Sequence, residues 1–337
     1  MYIGEFDLAA RPLLIAEIGN NHEGDPALAM ELAHAAIEAG ADAVKVQVIE
    51  ATRLVNVSQT ARVAQLERFR LKPEVFSDMA RRVRASGRLF MASVFDCTTL
   101  AQMAPELDAV KIASGDIDFD PLLQVAARCG KPIVMSTGMA TLDEMVRALD
   151  IIRVELPRDV SVRDRVAVLH CVSLYPTALE QANLAAIPAL AAKLNATIGY
   201  SDHTLGIDAA IVALALGARV IEKHFTLNKN QSSFRDHALS AEPAELAALA
   251  RVMRGYRAML GTGDREQMQA DVTNRVPIRR SIVAARDLAE GEILQASDLD
   301  YVRPGDGLSP SEAAGLVGRR LRVSLAKHQP IRRENLQ

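Results

Sequence analysis

Two histidines end strand-like, otherwise oily runs: His203 in "GYSDHTLG" (199–206) and His224 in "VIEKHFTL" (220–227). Isolated buried charge costs several kcal/mol unless it is paired or bound to a metal, so groups kept at such positions must share a use. Neighbouring strands run about 4.8 Å apart, close enough for two imidazoles on adjacent strand ends to converge on one ion. Two imidazoles completed by oxygen ligands or water suit a borderline divalent metal with open positions. The strand period of two sets Ser201 on the face of His203 and Glu222 on that of His224. Lys223 then faces the other way and must pair or snorkel there.

A second set is anionic in its preferences. "VKVQV" and "VKIAS" place Lys45 and Lys111 in mid-strand, where a purely structural strand avoids charge. With Ser93, Ser114, Ser136 and Ser201 they form a lining for a small polyanion carrying phosphate and carboxylate. A serine at a strand end is by itself more often a cap, so the lysines carry this argument. A third set, Glu17, Gln47, Asp116, Tyr175 and Asp236, offers carboxylate, amide and phenol groups that fit a polyol or amino sugar. Taken singly, Asp116 and Asp236 are ordinary turn residues.

All these residues fall at the same end of their elements. Eight apolar runs (13–19, 43–48, 89–94, 109–114, 132–137, 166–173, 196–202 and 220–226) alternate with helical periodicity. Asp25–Pro26 opens one helix, Thr141 and Glu144 form a capping-box pair, and Pro243 opens a helix that stops at Gly261. The long polar gap at 49–72 reads as an extra loop before a helix starting near Pro73. The pattern predicts an α/β (β/α)8 TIM barrel with its site at the C-terminal strand ends. The rival, a doubly wound sheet, lacks the glycine fingerprints of its nucleotide-binding forms.

After Gly261 the texture changes. The expected organisation is a barrel over 1–262, a polar aperiodic linker over 263–277 and a small β-rich domain over 278–337. At about 60 residues the last piece is marginal alone and is expected to dock on its own barrel or a partner's. A net charge of -3 without a long basic run argues against nucleic acid as partner. No basic start precedes an apolar stretch, and "AAIVALALGA" is too short to span a bilayer, so neither signal peptide nor membrane is expected. Cys97, Cys129 and Cys171 are widely spaced and odd in number, which reads as free thiols in a reducing cytoplasm.

The strings "IAEIGNNHEGD", "GADAVKVQ", "KIASGD", "STGMAT", "HCVSLYPT", "GYSDHTLG" and "EKHFTL" together resemble the sialic acid synthase family. The tail "RRSIVAARDLAEGEIL…DLDYVRPGDGLSP" is similar to that family's antifreeze-like, or SAF, domain. The resemblance implies an aldol-like condensation. Phosphoenolpyruvate attacks the open-chain aldehyde of an N-acetylmannosamine-type sugar, water adds at its second carbon, phosphate leaves, and a nine-carbon α-keto acid results. It implies a divalent ion on His203 and His224, usually manganese, with magnesium or cobalt as alternatives. Lys45 and Ser93 would hold the carboxylate, and Lys111, Ser114, Ser136 and Ser201 the phosphate. Glu17 would handle protons and hydroxyls, and Gln47, Asp116, Tyr175 and Asp236 would line the sugar side. It further implies a domain-swapped homodimer in which Arg303 reaches the partner's site. Two departures stand out. Ser173 replaces an Asn of some members at a phosphate contact, and Phe234–Arg235 replace a Gly–Pro texture in the loop facing the distal sugar. They keep a legionaminic-type precursor or a phosphorylated sugar open as alternatives. From the residues alone, a metal-dependent barrel lyase or hydrolase, or a carbohydrate- or ice-binding protein with a dead barrel, also remains.

Overall fold

Each apolar run becomes a parallel strand: β1 (Leu13–Gly19), β2 (Ala43–Val48), β3 (Leu89–Val94), β4 (Ala109–Ile112), β5 (Ile133–Ser136), β6 (Val166–Cys171), β7 (Thr197–Asp202) and β8 (Val220–His224). In this computed structural model, which describes residues 1–264 and 269–337, β1 to β8 pair in chain order and β8 closes back onto β1. Closure rules out the doubly wound sheet. It also explains the near-continuous apolar runs, since a strand covered on both faces has no solvent side to make polar.

Two hydrophobic layers hold the barrel. Between strands and helices lies a large core that includes Ile18, Val46, Phe90, Ile112, Leu149 and Leu249. Inside the barrel, Leu13, Ile15, Ala43, Met91, Ala109, Val134, Leu169 and Val220 pack together. Ile3 and Leu8, from a hairpin pairing Tyr2–Ile3 with Phe6–Asp7, join this inner cluster and stop the N-terminal end. At Gly199 an added Cβ would lie 2.5 Å from Leu169 Cδ2 and 2.6 Å from the Val220 carbonyl oxygen, so only glycine fits the lining there. One step further along the strands the inward positions turn polar: Glu17 pairs in register with Lys45, Ser93 with Lys111, and Ser201 with Glu222.

The helix punctuation holds. Asp25 accepts from the Ala27 and Leu28 N–H groups, Thr141 and Glu144 form the reciprocal box, and the last barrel helix spans Pro243–Leu260. The 49–72 segment is more than a loop: it carries a short helix, Ala51–Leu54, and a longer one, Thr60–Phe69. That second helix buries only Leu66 and Phe69, too few apolar positions to show as periodicity.

The chain divides into two compact units, Met1–Met259 and Leu260–Gln337. Of the linker expected over 263–277, residues 265–268 lie outside the described residues. Over most of the rest a helix spans Gln269–Ile278 where a linker was expected. Its positions from 271 onward are exposed, so it has no apolar stripe to read. The second unit pairs β9 (Ser281–Ala284) antiparallel with β10 (Leu299–Val302) around a core of Ile282, Leu294, Leu321 and Ile331. Among the described residues no helix is long and apolar enough to cross a membrane.

Candidate active site

The polar layer at the top of the barrel encloses a cavity of about 60 Å³. Lys45, from mid-β2, sets its Nζ 2.7 Å from Glu17 Oε2 and 3.6 Å from Glu222 Oε2, and donates to Ser93 Oγ at 3.2 Å. Lys111, from β4, donates to Ser136 Oγ at 2.8 Å and lies 3.5 Å from Glu222 Oε1. Ser201 Oγ donates to the same Glu222 oxygen at 3.0 Å. Glu17 Oε1 accepts from Gln47 Nε2 at 2.9 Å, and Gln47 Oε1 accepts from Asn20 Nδ2 at 2.9 Å.

Four buried charges thus form two unequal pairs. Glu17 and Lys45 are in close contact, whereas Glu222 stands loosely between both lysines, its Oε2 without a hydrogen bond. Burial favours the neutral form of Glu222, but Lys111 and Lys45 outweigh it and hold the carboxyl down to about 2. Burial is not overcome at Glu17, where Lys45 opposes it and the Glu222 charge adds to it, so this carboxyl is raised and takes a proton more readily. Lys111 is lowered by burial, which Glu222 only partly offsets. A second anion at Lys111 would therefore be welcome, and the 3.5 Å gap to Glu222 leaves that ammonium free to turn to it.

The two histidines meet above this layer with ring centroids 5.4 Å apart. His203 Nδ1 lies 2.8 Å from the Val172 carbonyl oxygen, which assigns its proton to Nδ1 and leaves the Nε2 lone pair free. His224 Nδ1 is buried with no hydrogen-bond partner. Burial, reinforced at His203 by the His224 ring, lowers both to about 4. Both imidazoles are neutral donors at pH 7, and one presents an orphaned nitrogen, which fits a divalent metal. Among the described residues no group of three or more His, Cys, Asp or Glu side chains is placed to hold a metal ion, so the two imidazoles are the donors on offer. The donor set therefore suits an ion completed by small oxygen ligands.

Around the rim, Gly138 donates its N–H to Ser114 Oγ at 3.0 Å. A Cβ at Gly138 would lie 2.2 Å from Ser173 Oγ, a buried hydroxyl with no partner. Asp116 is half-buried nearby and is pushed up to about 6 by burial, against the pull of Lys111. The Tyr175 ring sits 4.1 Å from the His203 ring, and the Arg235 guanidinium lies 4.6 Å above Tyr175 while its Nε donates to Asp236 Oδ1 at 3.1 Å.

Glu17, Lys45, Gln47, Ser93, Lys111, Ser114, Ser136, Tyr175, Ser201, His203 and His224 all line the one cavity. Asp116, Ser173 and Asp236 lie on its margin rather than in its lining, and Arg303 is an exposed residue of the C-terminal unit. Besides the apolar Phe95 and Ala113, two lining residues that can do chemistry had no assigned role in the sequence reading. Glu222 was placed on the His224 face, yet its position between two lysines from other strands emerges only on ring closure. Cys171, read simply as a buried thiol, also lines the cavity, with Sγ 3.8 Å from His203 Nδ1.

A closed parallel barrel with an anion-accepting lysine pair and two neutral imidazoles at its C-terminal mouth is a barrel enzyme in architecture and site. Comparison with known proteins narrows the class: the chain belongs to the NeuB family, which it matches over residues 32–265, and its C-terminal unit matches the SAF domain over residues 279–337. It is 36% identical to the N,N'-diacetyllegionaminic acid synthase of Legionella pneumophila, over 93% of this chain and 91% of that protein. It is 30% identical to human N-acetylneuraminate-9-phosphate synthase, over 95% of this chain and 91% of that one. The crystal structure of the N-acetylneuraminic acid (sialic acid) synthetase from Leptospira borgpetersenii, in complex with citrate, superposes with a TM-score of 0.72 at 33% identity, covering 78% of this chain and 90% of that chain.

Proposed function

We propose that this protein condenses phosphoenolpyruvate with an N-acetylmannosamine-type amino sugar to give a nine-carbon nonulosonic acid and phosphate. The observation that carries the reading is the pairing of two buried lysines around Glu222 directly beside two neutral histidines. One half suits a phosphate-bearing anion and the other an aldehyde oxygen bound through a metal.

Lys45 and Ser93 hold the carboxylate of phosphoenolpyruvate, and Lys111, Ser114, Ser136 and Ser201 hold its phosphate, with the Ser173 hydroxyl reaching the same cradle. Glu222 keeps both ammonium groups charged until the substrate replaces it as their partner. In the reaction, C3 of phosphoenolpyruvate bonds to the aldehyde carbon, a water oxygen bonds to C2, and the C2–O bond to phosphate breaks. Glu17, whose carboxyl takes a proton readily, is placed to move protons between water and the new hydroxyl. Gln47, Asp116, Tyr175 and Asp236 orient the sugar hydroxyls.

His203 and His224 would hold the divalent ion, manganese by family resemblance with magnesium or cobalt as substitutes, and it supplies Lewis-acid polarisation of the aldehyde when bound. A homodimer with exchanged SAF domains would bring Arg303 to a partner's mouth. Activity recovered on mixing Arg303→Ala with an inactive barrel variant supports that exchange, and none argues against it. Three unpaired cysteines accord with a cytoplasmic setting. The test is incubation of the metal-loaded protein with phosphoenolpyruvate and a panel of hexosamines, reading phosphate release and product mass. Failure to consume phosphoenolpyruvate with every sugar overturns the reading.

A further inference from the structure

Asp236 stands on a helix of only five residues, Arg235–Leu239, in the loop after β8. The helix borders the mouth, because Arg235 lies over the ring of the lining residue Tyr175. A helix this short has no cooperative stability of its own, so outside contacts must hold it. The next residue, His237, supplies them. It is 1% exposed, and both ring nitrogens are engaged: Nδ1 lies 2.7 Å from Thr226 Oγ1, and Nε2 lies 3.2 Å from Glu23 Oε1. An ionised carboxylate only accepts, which gives Nε2 the proton. Around this ring the loop after β1 is sewn to the loop after β8. Asn21 Nδ2 donates to the Phe225 carbonyl at 2.9 Å and to Ser240 Oγ at 3.0 Å, and Ser240 Oγ donates to the Asp236 carbonyl at 2.6 Å.

Glu23 is held in an unfavourable backbone to make its contact. Its φ of +47° is left-handed, which side chains other than glycine, asparagine and aspartate seldom adopt. Gly24 follows at φ +91°, and an added Cβ there would lie 2.1 Å from the Arg68 carbonyl oxygen, so the turn is pressed directly under the 49–72 insertion. The insertion also reaches the ring from the other side: Phe69 meets Phe234 edge-on at 4.9 Å, and Phe234 meets His237 edge-on at 6.1 Å. The β1 loop, the insertion and the β8 loop thus converge on one imidazole, and a strained glutamate points at it.

We infer that His237 is a positioning residue for the sugar: gripped by Glu23 and Thr226, it fixes the turn that presents Asp236 to the mouth. It sets the affinity for the sugar without touching it. The inference rests on the proposed reaction for the identity of that ligand. The lysine tier that takes phosphoenolpyruvate is built on β2 and β4, and neither Glu23 nor His237 contacts it, so binding of the anion is unaffected.

The test is calorimetry on the full-length, manganese-loaded protein with two probes: phosphoenolpyruvate, and the open-chain alditols of the hexosamine panel, which have no aldehyde and cannot react. The unsubstituted protein should bind at least one alditol. Glu23→Asn tolerates the left-handed backbone but falls short of His237. It should weaken that alditol about tenfold, the worth of one hydrogen bond to a charged group, and leave the urea midpoint and the affinity for phosphoenolpyruvate as they were. Glu23→Gln, which still accepts from Nε2, should restore the alditol. His237→Asn should weaken it as Glu23→Asn does, and the two together should cost no more than either alone, since both break one contact. If His237→Asn does not fold, the two Glu23 variants decide. No alditol bound by the unsubstituted protein, an alditol affinity unchanged in Glu23→Asn, or an equal loss for both probes overturns the inference. Phosphate release by the unsubstituted protein with the parent sugars reports on the reaction separately: alditol binding without turnover would overturn the reaction and leave His237 in its role.

Discussion

Lys223 Nζ lies 2.9 Å from Asp202 Oδ2, and neither side chain has any exposure to solvent. The two residues are register partners on adjacent strands, β7 and β8. The Asp202 Oδ1 accepts from Thr204 N–H and Thr204 Oγ1, each at 2.8 Å, and from the Tyr200 hydroxyl at 3.3 Å, while Lys223 also donates to the Thr204 carbonyl at 2.5 Å. Strand parity therefore sorts the charges. Ser201, His203, Glu222 and His224 face the cavity, and Asp202 and Lys223 neutralise each other on the helix side.

Removing one member of this pair should be costly. Lys223→Met strands a carboxylate in the core, and about 3–5 kcal/mol of stability should go with it. Asp202→Leu combined with Lys223→Met should recover much of that loss. Since Asp202 lies between Ser201 and His203, the double variant should still bind manganese more weakly. Denaturant titration and metal calorimetry read the two effects, and an undiminished manganese affinity would show that the pair only supports the fold.

Chelation should abolish phosphoenolpyruvate consumption, and added manganese should restore it. His224→Ala should weaken metal binding by at least about 100-fold, the upper size of effect seen for loss of outer-sphere partners alone. Titration of the metal-free variant checks this, and retained tight binding would remove the histidine pair from its role.

Gly138→Ala places a methyl group 2.2 Å from Ser173 Oγ and 2.9 Å from Ser114 Oγ. Overpacking of this kind costs about 1–3 kcal/mol. The expected outcome is a rise of about tenfold in KM for phosphoenolpyruvate with little change in KM for the sugar. Ser173→Gly, introduced alongside, should relieve most of it. Steady-state kinetics on the three proteins decides.

Acid should destabilise the metal-free protein over a defined window. Burial lowers His22, His203 and His224 to about 4 from an ordinary value of 6.5. Between those limits the unfolded chain binds protons that the folded one refuses, so stability rises with pH from about 4 to 6.5 and is lost as pH falls. Each histidine contributes up to about 3 kcal/mol. Asp116, raised to about 6, works in the opposite sense and trims the slope. Urea midpoints at successive pH values measure it, and His22→Asn should lower the slope by about one proton.

Arg235 over the Tyr175 ring is worth about 0.5–1 kcal/mol at an exposed site. Arg235→Ala should therefore raise KM for the sugar a few-fold and leave KM for phosphoenolpyruvate unchanged. An equal effect on both would place Arg235 outside the sugar side.

Much of this architecture was legible because a closed parallel barrel confines its chemistry to one end. A polar residue interrupting an apolar run, such as Lys45 or Lys111, marks both the strand and its mouth-facing side. What was not legible depends on contacts between distant segments. The role of Glu222 exists only because β2 and β4 bring lysines to it around the ring. The helix Thr60–Phe69 buries only two residues and the helix Gln269–Ile278 is exposed from 271 onward, so neither gives a periodic signal and polar composition read as loop and linker. Lys223 could be assigned to the helix side by parity, but its partner Asp202 became evident only from the strand register.

Ile3 and Leu8 cork the base of the barrel, which turns it into a cul-de-sac with a single doorway. The lysine tier around Glu222 is one strand period, roughly 6–7 Å, deeper than His224. Whatever occupies the floor must arrive before the guest at the threshold, so on the proposed reaction the two substrates should queue in a compulsory order, phosphoenolpyruvate first and the sugar above it.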